Sequence, residues 1–418
     1  MDRLLRTLLT LKEIKTRRDD DFCDRLSRQY TTSLLVMFSM VVTTKLFVGE
    51  PISCWCPAYF TESHRQYANT ICWISNTYYV PFDIRIPDDF NEQDWLEKQK
   101  VSYYQWVPLI LLCQATLALV PCLVWRFLNI RSGIDVSGIL ESASVCQRAS
   151  YNEIREKTIR YMVNQIDRYL LSQRDFRKGC GVRCKEMIAR YCFLVGGKRQ
   201  GNYLAVAYII CKVLYLLNAV GQLFLLDQFM GLNYHVFGMQ VVSRMIRGQD
   251  WSELDRFPRI TLCNFKIRHE ARIHDYVVQC ALTINLFNEK IFIIIWFWYV
   301  FVAMVTVLSF LTWLGRAIYW PAQIQYVKQK LRACDVTRRS KANLHRFVQY
   351  YLRRDGLFLI RLISLNIGEI VASETLAGLW ENYGPDRRLL TEHPSRAHRT
   401  VVSGKESVFG PPGNMDVV

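Results

Sequence analysis

The sequence predicts an all-α membrane protein with four transmembrane helices, two disulfide-stapled extracellular loops and a helical cytoplasmic domain. Three observations predict it. Apolar residues make up 51% of the chain and are clumped, with four long runs among them. Lys and Arg concentrate in the segments on one side of those runs. Five of the 14 cysteines fall in the two segments on the other side.

A helix crossing a bilayer needs about 20 apolar residues at roughly 1.5 Å rise each. The runs place spans at 30–49, 107–128, 204–229 and 291–314. Before the first span, residues 1–29 carry Leu4, Leu5, Leu8, Leu11 and Ile14 on one face of a short amphipathic helix, which Asp19, Asp20 and Asp21 then interrupt. This pattern fits a helix on the inner membrane surface as well as one tucked into a pore. The run after it leads into Gly49-Glu50-Pro51 rather than a small-residue cleavage site, so the amino terminus is expected to stay attached. The second span contains Pro121, which removes one backbone hydrogen bond and predicts a bend. The last span carries Trp296, Phe297, Trp298, Tyr299 and Phe301 around its whole circumference, as lipid contact and packing require.

Charge sets the topology. Segments 1–29, 129–202 and 315–418 hold eight, 14 and 16 Lys and Arg, against four and eight in 50–106 and 230–290. The positive-inside rule then puts both termini and the middle loop in the cytoplasm. The net charge of +16 is accounted for by topology and anionic lipid and gives no reason to invoke nucleic acid. Within 129–203, Ile154, Ile159, Met162, Ile166, Tyr169 and Leu170 mark one buried helical face, and 315–383 also reads as helical. From 384 the chain loses periodicity and is expected to be disordered. Lys45, Arg126 and Asp227 lie near span ends, where snorkelling suffices. Lys212 lies deeper and requires a polar partner or an aqueous cavity.

The sequence holds no catalytic motif and calls for no cofactor or metal. The spacing of Cys180 and Cys184 alone makes a weak zinc site, since no histidine accompanies it. The outer loops, 50–106 and 230–290, carry Cys54, Cys56, Cys72, Cys263 and Cys280 where disulfides persist. Four paired cysteines allow three connectivities, and spacing does not choose among them. Neither loop contains an Asn-x-Ser/Thr sequon, which leaves them free of the glycan that would hinder apposition.

Several local motifs resemble those of the innexin family: Tyr103-Tyr104-Gln105-Trp106-Val107-Pro108, Pro51-Ile52-Ser53-Cys54-Trp55, Cys72-Trp73, Phe257-Pro258-Arg259-Ile260-Thr261-Leu262-Cys263, and Ile284 to Phe292. They occur in the family's order across roughly residues 20–380. The resemblance implies a ring of eight subunits, homomeric or mixed, that docks head to head with a ring in the adjacent cell. It implies the pairs Cys54–Cys280 and Cys72–Cys263. It also implies an amino-terminal helix in the pore mouth, making Asp2, Arg3, Lys45 and Glu50 candidate pore-lining residues. Three positions depart from the family pattern. Cys56 is an extra outer cysteine, a free thiol or a rival partner for Cys54; Thr283 replaces a usual proline and Asn264 a usual aspartate.

The function expected is a gap-junction channel passing ions and small metabolites by passive diffusion. An unpaired channel releasing solutes to the medium shares every motif above, and a non-conducting tetraspan scaffold shares the loops. The ending Asp416-Val417-Val418 has the form of a PDZ ligand.

Overall fold

The computed structural model describes residues 19–75, 77–80, 100–173, 201–230, 234–248, 257–269, 272–334 and 341–383. In chain order the elements are α1 (Phe22–Val48), β1 (Ser53–Trp55), α2 (Glu62–Ser75), β2 (Thr77–Tyr78), β3 (Lys100–Val101), α3 (Val107–Ser132), α4 (Val136–Arg148), α5 (Asn152–Ser172) and α6 (Tyr203–Met230). There follow α7 (Phe237–Ile246), β4 (Ile260–His269), β5 (Arg272–Ala281), α8 (Thr283–Ile318), α9 (Trp320–Ala333), α10 (Lys341–Arg346), α11 (Arg353–Asn366) and α12 (Glu369–Asn382). Helices α1, α3, α6 and α8 are long and apolar enough to cross a membrane.

These four helices extend past the apolar runs for local reasons. Helix α1 begins at Phe22, whose N–H donates to the Asp21 carboxylate at 2.6 Å, and contains one π turn over Leu26–Tyr30. Helix α3 continues through Pro121 and stops where Gly133 takes φ +89°, a conformation that suits glycine at a helix C-terminus. Helix α8 starts at Thr283 rather than 291 because its first two turns hold a loop. Asn285 donates to the Pro258 carbonyl at 2.9 Å, and Glu289 pairs with Arg259 at 2.9 Å.

The described residues divide into two compact units. One comprises the described residues of 25–121 and 214–307. The fold is mostly helical, as expected, and among the described residues its loops add a five-stranded antiparallel sheet, β1-β5-β4-β2-β3. Its centre is the β4–β5 hairpin, where Thr261, Cys263 and Phe265 alternate inward. Tyr104, Phe257, Phe292, Trp296 and Tyr299 fill the core beneath.

The other unit comprises 19–24, 122–213 and 308–383 within the described residues. Helices α4, α5, α9, α11 and α12 pack around Ile139, Ile166, Phe347, Leu359 and Leu376, all buried. Of the face expected on α5, Met162, Ile166, Tyr169 and Leu170 are buried and Ile159 is partly so, while Ile154 is exposed in the first turn. Asp355, fully buried on α11, accepts from the Ala205 N–H at 3.1 Å, Gln173 at 2.9 Å and Tyr169 at 3.2 Å. It thus caps the start of α6 from a distant helix, satisfying a donor that no earlier turn can.

Candidate functional site

The two loops are joined twice. Register places Cys54 on β1 opposite Cys280 on β5, and their sulfurs are bonded at 2.05 Å. Cys72, in the last turn of α2, bonds Cys263 on β4 at 2.02 Å. Both bonds link the segment before α3 to the segment before α8, with 226 and 191 residues between the partners. All four cysteines are buried. Cys56 carries a free thiol. Burial pushes that thiol above its ordinary value, with Arg65 acting in the opposite sense, so at neutral pH it is a weak nucleophile toward the neighbouring staple.

Side chains tie the staples to the spans. The Cys54 N–H donates to Asn69 on α2 at 2.9 Å. Tyr104 is fully buried with its ring 4.7 Å from Trp73, beside Cys72, and Gln105 donates to the Trp73 carbonyl. Burial raises the Tyr104 phenol to about 12. The Tyr103 ring meets Phe257 edge-on at 6.0 Å. The aromatic residues that served as sequence markers are therefore the packing between loop module and helix ends. Thr283 uses its hydroxyl to bond the Glu50 carbonyl at 2.6 Å, a contact that proline cannot make.

Of the residues expected along a permeation path, Lys45 lies in the last turn of α1, partly buried, with its ammonium 5.7 Å from the Phe287 ring. Glu50 is exposed just beyond that helix. Asp2 and Arg3 lie outside the described residues, as do Cys180, Cys184, the tail from 384 and its Asp416-Val417-Val418 ending.

Lys212 has partners. It is fully buried and donates to Asp24 at 2.8 Å, Asp21 at 3.3 Å and Ser309 at 2.8 Å. Tyr208 donates to the other Asp24 oxygen at 2.8 Å, and Trp313 donates to Asp21 at 3.1 Å. Burial alone would raise the Asp21 carboxyl, but the Lys212 ammonium and the hydrogen bonds from Trp313, Ser309 and Lys212 outweigh it and hold it below the ordinary value. The cluster ties the start of α1 to α6 and α8. Sequence reasoning identified Lys212 by depth but had no signal for its acidic partners.

Four helices long and apolar enough to span a membrane, with the loop after the first stapled to the loop after the third, define a tetraspan membrane protein with a doubly cross-linked loop module. A family model described as Innexin matches residues 20–383. Innexin unc-9 of Caenorhabditis elegans is 35% identical over 374 residues, covering 89% of this chain and 94% of the relative. Innexin-19 of Caenorhabditis briggsae is 31% identical over 396 residues, covering 89% and 88%. Innexin-11 of C. elegans is 33% identical over 380 residues, covering 89% and 80%. The chain belongs to the innexin family. It is a subunit of an oligomeric gap-junction channel, a membrane protein and not an enzyme.

Proposed function

We propose that the stapled loop module is the docking face of a plasma-membrane ring of about eight such subunits, homomeric or mixed, which meets a ring in the adjacent cell. The observation that carries this reading is the double cross-link. Cys54–Cys280 and Cys72–Cys263 bind both loops into one sheet, and a small module without a large core needs such staples to hold a fixed surface. In this reading both termini are cytoplasmic, in keeping with the excess of Lys and Arg in their segments.

Transport is passive, down electrochemical gradients through a water-filled path. Each charge is repeated once per subunit, so a single side chain becomes a ring that biases ion traffic. Asp2, Arg3, Lys45 and Glu50 are proposed to line that path. Lys45 and Glu50 suit the role through their place at the loop end of α1. The terminal Asp416-Val417-Val418 is proposed as a PDZ ligand, and junctional targeting unchanged by its deletion would remove that proposal.

The test is dual voltage clamp on paired cells expressing only this chain. Junctional current should appear and should vanish in Cys54→Ser and Cys280→Ser, with surface biotinylation reporting delivery. Full junctional current in both variants at wild-type surface levels would refute the docking role of the staples. Current across single-cell membranes without junctional current would assign the chain to unpaired channels instead.

A further inference from the structure

The loop between α6 and β4 contains a helix to which the reading above gives no role. Helix α7 turns about 100° per residue, which sets its apolar side chains on one side and its polar ones on the other. Phe237, Gly238 and Val241 are buried. Met239, Val242, Met245 and Ile246 form a second arc, 62%, 40%, 62% and 80% exposed, in which Met245 continues the line of the buried strip one turn past Val241. Gln240, Ser243, Arg244 and Arg247 form the third, centred roughly 140° from the exposed apolar one. Four large apolar side chains are thus exposed on a different side of the helix from the two arginines.

Contacts fix where this helix lies. A Cβ on Gly238 would run into the Trp296 indole, so glycine lets the helix press against α8. The Trp296 N–H donates to the His235 carbonyl at 3.1 Å, and Tyr234 donates to the Phe292 carbonyl at 2.6 Å. On the other side the His235 ring stacks on Phe224 of α6 at 6.0 Å, and Asp227 accepts from the Tyr234 N–H. Trp296 is five residues beyond Ile291, where the apolar run of α8 begins, so it lies about 7–8 Å inside that boundary. In-plane amphipathic helices sit about 5–10 Å into the boundary between headgroups and acyl chains.

We infer that α7 is an interfacial helix whose Met239, Val242, Met245 and Ile246 face contacts acyl chains of the leaflet facing the stapled loops. Arg244 and Arg247 stand at headgroup level, where phosphate groups suit them. Continuity identifies the occupant as lipid. Phe224, Ile294 and Phe297 are exposed on the parts of α6 and α8 that flank the attachment, so the apolar exterior of the spans runs onto this helix. The same lipid layer that covers the spans covers α7.

The test places a photoreactive benzoylphenylalanine at Met245 of the full chain, reconstituted in phosphatidylcholine nanodiscs carrying alkyne-tagged acyl chains. Met239 carries the probe in a second sample and Arg247 in a third. Only samples that keep the wild-type oligomer peak are irradiated. Lipid tagging at Met245 and Met239 should exceed that at Arg247 several-fold. Equal tagging at all three positions, no tagging at either methionine, or chain-to-chain adducts in place of lipid adducts would overturn the inference. The last outcome would assign the face to a neighbouring subunit.

Discussion

Replacing Lys212 by methionine tests whether the buried charge cluster holds α1 in place. Methionine keeps an unbranched side chain and removes only the ammonium. Lys212 has no exposed side-chain surface, and its partners Asp24 and Asp21 are 2% and 19% exposed. The substitution therefore strands Asp24 without its cation, leaving Tyr208 as a neutral donor, while Asp21 regains some solvent. Removing one partner of a buried pair costs about 3–5 kcal/mol. The partial exposure of Asp21 argues for the lower end, about 3 kcal/mol, or roughly a hundredfold in the folding equilibrium. Adding Asp24→Asn removes the stranded charge and should return about 1–3 kcal/mol. The assay is size-exclusion chromatography of fluorescently tagged chain after stepwise heating. Lys212→Met should lose its oligomer peak at lower temperature, and the double variant should recover much of the difference. A Lys212→Met profile matching wild type, or no recovery with Asp24→Asn, would refute the account of the cluster.

Other consequences follow from single contacts. Asp355→Ala removes the cap on α6 and leaves the Ala205 N–H, Gln173 and Tyr169 without their acceptor, an expected loss of about 1–3 kcal/mol by the same heating assay. Burial raises the Asp355 carboxyl above 3.8, and hydrogen bonds from Ala205, Gln173, Leu204 and Tyr169 oppose that only partly. Its contribution to stability is full below 3.8 and declines as pH rises through the folded value, so Asp355→Asn should flatten that part of the wild-type stability profile. Asp21 runs the other way: its lowered carboxyl contributes above 3.8 and loses that contribution as pH falls through the folded value. An Asp21→Asn difference in melting should accordingly stay constant near neutral pH and shrink only in strong acid. Gly238→Ala drives a methyl into Trp296 and should cost about 1–3 kcal/mol, with partial recovery in Trp296→Leu. Thr283→Pro loses the bond to the Glu50 carbonyl but meets a helix first turn that accepts proline, so melting should move by no more than the equivalent of about 1 kcal/mol.

The spans were legible because a bilayer imposes a local requirement, length and apolarity over some 20 consecutive residues, which one sequence window contains. The loop sheet was less legible for a physical reason. β4 and β5 alternate inward residues with outward ones that are themselves apolar, such as Ile260, Ile273 and Val277 at 44%, 58% and 45% exposure. The contrast between faces that marks a strand is therefore weak. Spacing left the cysteine connectivity open, whereas strand register brings Cys54 and Cys280 opposite each other although 226 residues separate them. Lys212 shows the same division. Its depth in an apolar run demanded a partner, but Asp24 lies 188 residues earlier and just inside the start of a different helix. Asp19, Asp20 and Asp21 read as a helix break, and Asp19 and Asp20 are in fact buried while Asp21 pairs with Lys212. A charge that reads as a helix break can thus anchor the helix that follows it, and only the non-local contact reveals that role. The substitution of Lys212 separates the two readings, because a helix break alone would not depend on a cation carried by α6.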